Sequence, residues 1–133
     1  MSEGLNRWVG VGQLAADPEL RFTQSNQGVL SFRIAVNEGY WDEKTKERKE
    51  KVEWVPICVW GKRGEALNKI LAKGRQVLIE GRLQTRSWDD KTGAKRYTTE
   101  IVASNVGSPL PTNVPTETLF TPIKPDTNAF TSQ

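Results

Sequence analysis

The sequence predicts an all-β barrel with a single helix, and three observations support this fold class. Short apolar runs recur at strand length and are separated by turn residues. From Val29 to Val36, apolar and polar side chains alternate, which is typical of a strand with one buried face. Only the segment from Lys62 to Lys73 has helical spacing. Its apolar side chains share one face: Ala66, Leu67, Ile70 and Leu71.

Five strands are expected in chain order. Their ranges are 7–14, 29–36, 51–60, 76–88 and 97–106. The fourth run is long enough to bend, and Gly81 stands where a barrel corner would form. Asp89 to Ala94 is typical of a turn, in which Gly93 is free to adopt a positive φ. Gly74 follows the predicted helix, where a left-handed cap is expected.

Three strands, a helix and two strands is the order of an OB-fold, a five-stranded Greek-key barrel with its helix between strands three and four. Small barrels of other topology share similar strand orders. Pro56 lies inside the third strand and has no amide hydrogen for a ladder, so it predicts an edge, a bulge or a partly open seam. A barrel only partly closed between strands three and five accommodates this proline.

The chain divides near Val106 into two predicted regions. Residues 1–106 form the predicted barrel domain. Residues 107–133 contain five of the seven prolines, which remove backbone donors and block helix and sheet alike. We therefore expect a flexible tail there. A packed C-terminal extension is the alternative, because the segment also has apolar residues that are able to dock: Leu119, Phe120, Ile123 and Phe130.

Composition argues against several classes of function. The chain has no histidine, the commonest general base and metal ligand, and its single cysteine excludes an internal disulfide and a cysteine-based zinc site. We find no P-loop, GxSxG or paired-carboxylate motif, so we expect no enzyme, no cofactor and no metal. No signal peptide or apolar run of membrane-spanning length is present, and the expected location is the cytoplasm, in association with the nucleoid.

The tryptophans are the most informative residues. Trp54 and Trp60 are an even number of positions apart, so they share one face of strand three. Val55, Ile57 and Val59 occupy the opposite face and supply the core contribution of that strand, which leaves both tryptophans surplus to the core. One face of strand four is basic and aromatic at once: Arg82, Gln84, Arg86 and Trp88.

Exposed aromatic side chains are unfavourable unless something covers them. Nucleobases do so, because every base has a π-face, and interleaved arginines contact phosphates. The net charge of +3 suits a polyanion without demanding one. We therefore predict a nucleic-acid surface. The alternative for these tryptophans is a second small core or a subunit interface. For Trp8 we expect packing at a subunit interface rather than contact with DNA. Cys58 shares the face of Trp54 and Trp60, and we expect it to be a small, semi-buried residue beneath the bases.

Several segments resemble the bacterial single-stranded DNA-binding protein family. They are VGQL (11–14), DPELRFT (17–23), VEW (52–54), VWGK (59–62), KGRQVLIEGRLQTRSW (73–88) and RYTTE (96–100). The resemblance extends from about Leu5 to Val106. It implies an OB barrel, assembled as a homotetramer, that binds single-stranded DNA without sequence preference in replication, recombination and repair.

The resemblance also implies the site. The stacking positions of the family match Tyr40, Trp54, Trp60 and Trp88, with Trp41 as the alternative to Tyr40. The basic positions carried over are Arg7, Arg21, Arg33, Lys62, Lys73, Arg82, Arg86 and Arg96. Each of these basic residues is open to the alternative of solvated surface charge. Residues 38–51 are expected to form a long hairpin loop with Tyr40 and Trp41 at its base.

The C-terminal sequence departs from the family pattern. Replicative members end in a linker and a short acidic tip closed by Pro-Phe, which recruits other proteins. The present sequence ends DTNAFTSQ, and Asp126 is its one acid after Glu117. The resemblance is therefore to a variant without the acidic tip, from which we expect no recruitment of that kind. An OB-fold accessory protein that acts through protein contacts in replication restart is the alternative, and the retained tryptophans argue against it.

Overall fold

The computed structural model describes residues 2–109, which form six strands and one short helix. The strands are β1 (Trp8–Leu14), β2 (Glu19–Phe22), β3 (Gly28–Asp42), β4 (Glu47–Trp60), β5 (Gln76–Asp89) and β6 (Lys95–Gly107). The helix, α1 (Lys62–Leu67), connects β4 to β5. The tail is predicted from residue 107 onward, and residues 110–133 of it lie outside the described residues.

Five of the strands close into a barrel. Neighbouring strands follow the order β1-β5-β6-β4-β3, and β3 returns to pair with β1. The ladders are antiparallel except the one between β4 and β6. That parallel seam is short: Ile57 registers with Ile101, and Cys58 with Val102. The architecture is the predicted OB-fold barrel with one helix before its last two strands.

Pro56 lies immediately before the parallel seam. It registers with Arg33 in the ladder between β3 and β4. Within residues 2–109, β4 registers with β6 only at the next two residues, Ile57 and Cys58. Because proline has no amide hydrogen to donate, the pairing with β6 begins at the residue after it, Ile57. The seam is short, as the proline predicts, but its two residue pairs close the barrel.

The sequence pattern does not indicate β2. This strand registers with β3 from Glu19 opposite Ser31 to Phe22 opposite Gly28. It continues along the edge of β3 beyond the two residue pairs that join β1 to β3. Three of its four side chains are exposed, so it lacks the alternation that marks a strand in sequence. Pairing with β3 alone determines its conformation.

Residues 38–51 form a β-ribbon rather than the predicted long loop. β3 and β4 stay in register from Val29 opposite Trp60 to Asp42 opposite Glu47. The connection closes at Lys46, which has φ 58° and donates its amide hydrogen to the Asp42 carbonyl at 2.8 Å. We call residues 38–51 the arm. Its side chains are mostly polar, so its order depends on backbone hydrogen bonds, which no side-chain pattern shows.

The helix ends at Leu67, before the predicted end at Lys73. Beyond it the chain continues in tighter turns, with the Ile70 amide donating to the Leu67 carbonyl at 3.0 Å. Leu71 is still buried in the core, whereas Ile70 is exposed. Gly74 has φ 88°, so its predicted left-handed conformation is confirmed. Its predicted role as the helix cap is wrong, because α1 ends at Leu67 and the Gly74 amide donates instead to the Leu14 carbonyl at 2.9 Å.

One apolar cluster fills the barrel. Its largest fully buried side chains are Leu30, Ile34, Ile57, Ile79, Ile101, Val59 and Val77. Each such leucine or isoleucine contributes about 2–3 kcal/mol relative to an exposed position. Trp8 packs against this cluster within its own chain, and its indole ring lies over Gly10. Trp8 is therefore partly a core residue of its own chain.

Gly81 stands at the predicted corner of the barrel. The register between β5 and β6 shifts between Glu80 and Gly81, which is a β-bulge. A Cβ atom at Gly81 would collide with the carbonyl oxygen of Val102 and lie 2.9 Å from the Cα of Ala103. The two backbones approach closely because position 81 has no side chain.

We expect Gly81→Ala to lower the free energy of unfolding by about 2–3 kcal/mol, because the collision is with backbone and forces the corner to open. Urea denaturation followed by tryptophan fluorescence measures the change. Gly107→Ala is the matched control, since nothing lies within 4 Å of a Cβ there. Equal losses for the two variants would contradict this account of the corner.

Candidate nucleic-acid interface

The pairing registers place most of the predicted residues on one exterior face of the barrel. Residues directly opposite each other in a ladder present their side chains to the same face. One such row crosses five strands: Glu19, Ser31, Cys58, Val102 and Arg82. The row beside it contains Arg21, Val29 and Trp60.

Neighbouring rows extend this face in both directions. On β3 and β4, Arg33 lies opposite Pro56 and Ala35 opposite Trp54. On β5 and β6, Arg86 lies opposite Thr98 and Trp88 opposite Arg96. We call the combined surface the exterior face. Its predicted members are Arg21, Arg33, Trp54, Trp60, Arg82, Arg86, Trp88 and Arg96.

The tryptophans of the exterior face present their rings to solvent. Trp54, Trp60 and Trp88 are 54%, 41% and 45% exposed, whereas the largest core side chains are under 2% exposed. Trp88 is also oriented, because its indole Nε1 donates to the Thr98 hydroxyl at 2.9 Å. These rings contribute little to the core and are available to a planar partner.

Tyr40 and Trp41 lie on opposite faces of the arm. Counting alternate residues along β3 from Arg33 and Ala35 leads to Trp41, which registers with Arg48. Tyr40 registers with Lys49 on the other side. Both rings are about half-exposed. The geometry therefore joins Trp41 to the exterior face, although Tyr40 is the residue that matches the family position.

Most of the predicted basic residues are already engaged by a carboxylate. The pairs are Arg7 with Glu80, Arg21 with Glu19, Lys62 with Glu65, Arg86 with Glu100 and Arg96 with Asp90. Arg33, Lys73 and Arg82 form no ion pair with any part of the chain that the structure describes. The basic side chain of each pair is more than half exposed, so pairing leaves it accessible to a phosphate. The face is nonetheless less positive than its arginines alone suggest.

Three predicted basic residues lie away from the strand rows. Arg7 precedes β1, forms an ion pair with Glu80 of β5 and lines a cleft together with Arg82. Lys62 begins α1, two residues after Trp60. The Lys73 amide donates to the Asp17 carboxylate at 2.9 Å, in the connection from α1 to β5. These residues border the exterior face rather than belong to its rows.

A cleft of about 340 Å³ opens at the centre of the exterior face, beside the parallel seam. Arg33, Pro56 and Arg86 line it, with Cys58 and Glu100 buried among them. The Cys58 thiol donates to Oε2 of Glu100 at 2.9 Å. Burial, then the hydrogen bond and charge of Glu100, raise the pKa of Cys58 to about 12, so the thiol keeps its proton at neutral pH. Cys58, which was expected to be semi-buried, is buried, with 4% of its surface exposed.

The turn after β5 is fixed by Asp90. Its Oδ1 accepts hydrogen bonds from the amides of Thr92 and Ala94 and from the Thr92 hydroxyl, and its Oδ2 accepts from Nε of Arg96 at 2.8 Å. The Thr92 hydroxyl and then Arg96 lower the pKa of Asp90 to about 2. Since Trp88 and Arg96 flank this turn, Asp90 keeps them in register.

Sequence reasoning missed two exposed aromatic residues. Tyr97 is 70% exposed and lies opposite Ser87, on the other side of the β5–β6 ribbon from Trp88. Phe22 ends β2 and is about half-exposed. Tyr97 stands in the segment RYTTE, and its alternation with Arg96 and Thr98 was the available signal. Neither residue belongs to the rows of the exterior face.

Among residues 2–109, no group of three or more histidine, cysteine or acidic side chains is placed to hold a metal ion. The helices of this same range include none with the length and apolar character needed to cross a membrane.

The protein is an OB-fold barrel with exposed tryptophans and arginines on one exterior face, and OB-folds that bind single strands combine aromatic side chains with basic ones in this way. The model of the Single-strand binding protein family matches residues 5–108. The chain belongs to this family, as the sequence motifs predict.

Two known proteins illustrate the relationship. Single-stranded DNA-binding protein 1 of Chlorobaculum tepidum is 50% identical over 107 residues, which cover 80% of this chain and 65% of that protein. The chain thus matches just under two thirds of the length of this relative. A solved structure described as Plasmodium falciparum SSB in complex with ssDNA superposes with a TM-score of 0.71 at 29% identity, over 80% of this chain and 97% of that one.

Proposed function

We propose that this protein binds single-stranded DNA without sequence preference and performs no chemistry on it. Bases stack on Trp41, Trp54, Trp60 and Trp88. Phosphates contact Arg21, Arg33, Arg82, Arg86 and Arg96. The observation that carries the proposal is the set of strand registers, which bring these aromatic and basic side chains onto one exterior face.

The chemistry of the face accounts for the lack of sequence preference. Stacking uses the π-face that all bases share, and arginine contacts to phosphate carry no sequence information. The names of the two relatives support the choice of ligand, since one is called a single-stranded DNA-binding protein and the other is a complex with ssDNA. Arg7, Lys62, Lys73 and Tyr40 lie where they extend the path of a strand beyond the main rows.

In the cell, we assign the protein to coating and protecting single strands during replication, recombination and repair, in the cytoplasm at the nucleoid. The exposure of Trp54, Trp60 and Trp88 argues against an accessory protein that acts through protein contacts alone, because such a protein has no need of rings presented to solvent.

The proposed assembly is a homotetramer. β1 pairs with β5 through Trp8–Gln13, but pairs with β3 only at Gln13 and Leu14, so within residues 2–109 much of one edge of β1 is open. Val9 and Val11, on this strand, are exposed. An open strand edge with exposed apolar side chains favours pairing with a second copy of the chain.

Trp54→Ala and Trp88→Ala are each expected to weaken binding to oligo(dT), because each removes a platform on which a stacked base gains about 1–3 kcal/mol. Fluorescence titration measures both affinity and quenching of the remaining tryptophans. The wild-type affinity should also fall with salt, with a log–log slope of about −0.7 for each phosphate neutralised.

Tyr97→Ala is the matched control for these substitutions. It also removes an exposed aromatic ring from the β5–β6 ribbon, but from the side opposite Trp88. Its affinity should equal that of the wild type. If Trp54→Ala and Trp88→Ala both bind like the wild type, the stacking assignment is wrong.

The arm allows a second test, between adjacent residues. Trp41→Ala should weaken binding of oligo(dT) more than Tyr40→Ala does, because only Trp41 lies on the face of the arm that continues the exterior face. Competition between the variants and wild type for one labelled oligonucleotide gives the ratio directly. A larger loss for Tyr40→Ala would show that the family position is used in spite of the register.

Light scattering at micromolar concentration should give a mass of about 60 kDa, since four chains of 14.9 kDa form the proposed assembly. Val9→Lys should lower this mass, because it places a charge on the open edge strand. A monomeric mass for the wild type would contradict the proposal.

A further inference from the structure

A buried acid lies in the middle of the exterior face, where a polyanion would be repelled. Glu100, on β6 opposite Gln84, is 7% exposed. It is the one buried charged or polar side chain among the residues that the structure describes. A buried carboxylate is unfavourable unless it is paired and hydrogen-bonded, so its partners explain its presence.

Those partners come from two other strands. Oε1 of Glu100 accepts a hydrogen bond from Nε of Arg86 on β5 at 2.9 Å. Oε2 accepts from the thiol of Cys58 on β4 at 2.9 Å. Both oxygens of the carboxylate are therefore occupied, and the side chain is held on each side of the parallel seam.

The ion pair with Glu100 occupies only part of the Arg86 guanidinium group. Its side chain is 53% exposed, whereas that of Glu100 is 9% exposed. Within residues 2–109, Nε is the only atom of the guanidinium group that forms a hydrogen bond. The edge of the guanidinium group that carries Nε is thus turned toward the barrel, and the terminal nitrogens have no protein partner in this range.

We propose that Glu100, steadied by the Cys58 thiol, is a positioning residue that orients Arg86 toward the phosphates of a bound strand. This inference rests on the proposed function. A long side chain that is already held in its binding geometry loses less freedom when the ligand arrives, so it binds more tightly. The high pKa of Cys58 keeps the thiol available as a donor to the carboxylate.

The direction in which one substitution changes the affinity for DNA separates positioning of Arg86 from simple repulsion of phosphates. Glu100→Gln removes a negative charge from the DNA-binding face and preserves the shape of the side chain. If the carboxylate only repels phosphates, this variant binds DNA more tightly. If the carboxylate orients Arg86, it binds more weakly, because the charge-assisted hydrogen bond that holds the guanidinium group is lost.

The test is a double-mutant cycle in oligo(dT) binding with wild type, Glu100→Gln, Arg86→Ala and the double variant. We expect Glu100→Gln to weaken binding about threefold to tenfold in the wild-type background, and not at all in the Arg86→Ala background. The salt slope of Glu100→Gln should also be shallower by about 0.7, which corresponds to one lost phosphate contact. A general loss of stability does not produce this background dependence.

Glu53→Gln is the control for charge, since it removes an exposed acid whose partner is Lys51 on the arm. It should not weaken binding. If Glu100→Gln binds as tightly as the wild type or more tightly, positioning is overturned while the proposed function stands. If wild-type protein itself gives no binding and no quenching, the proposed function fails.

A second pair of variants tests the thiol and does not depend on the folding of Glu100→Gln. Cys58→Val keeps a small buried side chain but removes the donor to Oε2, and Cys58→Ser keeps a donor. We expect Cys58→Val to weaken binding about twofold to threefold and Cys58→Ser to restore it. Equal affinities for Cys58→Val and the wild type would overturn the role of the thiol.

Discussion

The short parallel pairing between β4 and β6 is the constraint on which the rest of the molecule depends. It closes the barrel through two residue pairs, beginning directly after Pro56. On the inner side, Ile57 and Ile101 meet in the core. On the outer side, Cys58 and Glu100 meet across the same seam. A longer ladder would leave less room for the cleft that Arg33 and Arg86 line.

Strand alternation connects the core to the exterior face. On β3 and β4, the residues that fill the barrel alternate with exterior residues such as Arg33, Trp54 and Trp60. A register slip of one residue would exchange the interior and exterior sets. The core therefore fixes the positions of the rings and charges outside it. Burial of side chains such as Ile34 and Ile57 thus sets the spacing between the exterior rings and charges before a ligand arrives.

Local chemistry decided which parts of the fold and site were predictable. Gly74 and Gly81 were predictable because positive φ and close backbone approach both select glycine. The basic and aromatic side chains on one face of β5 were also predictable, because their alternation is a pattern within one strand. β2 and the arm were missed because the edge of β3 and a backbone ladder order them, without an apolar pattern. The meeting of Cys58, Glu100 and Arg86 depends on pairing between strands far apart in sequence, which no spacing reveals.

The carboxylate partners of the arginines affect how DNA binding would be observed. Arg21 and Arg96 are held by Glu19 and Asp90 before any phosphate arrives. A phosphate that displaces such a carboxylate exchanges one anion for another at the same guanidinium group. The freed carboxylate then attracts a cation from solution, which offsets the cation that the DNA releases. Fewer ions would therefore be released in total than there are arginine contacts. The number of contacts inferred from ion release would be smaller than the number counted in a structure of the complex.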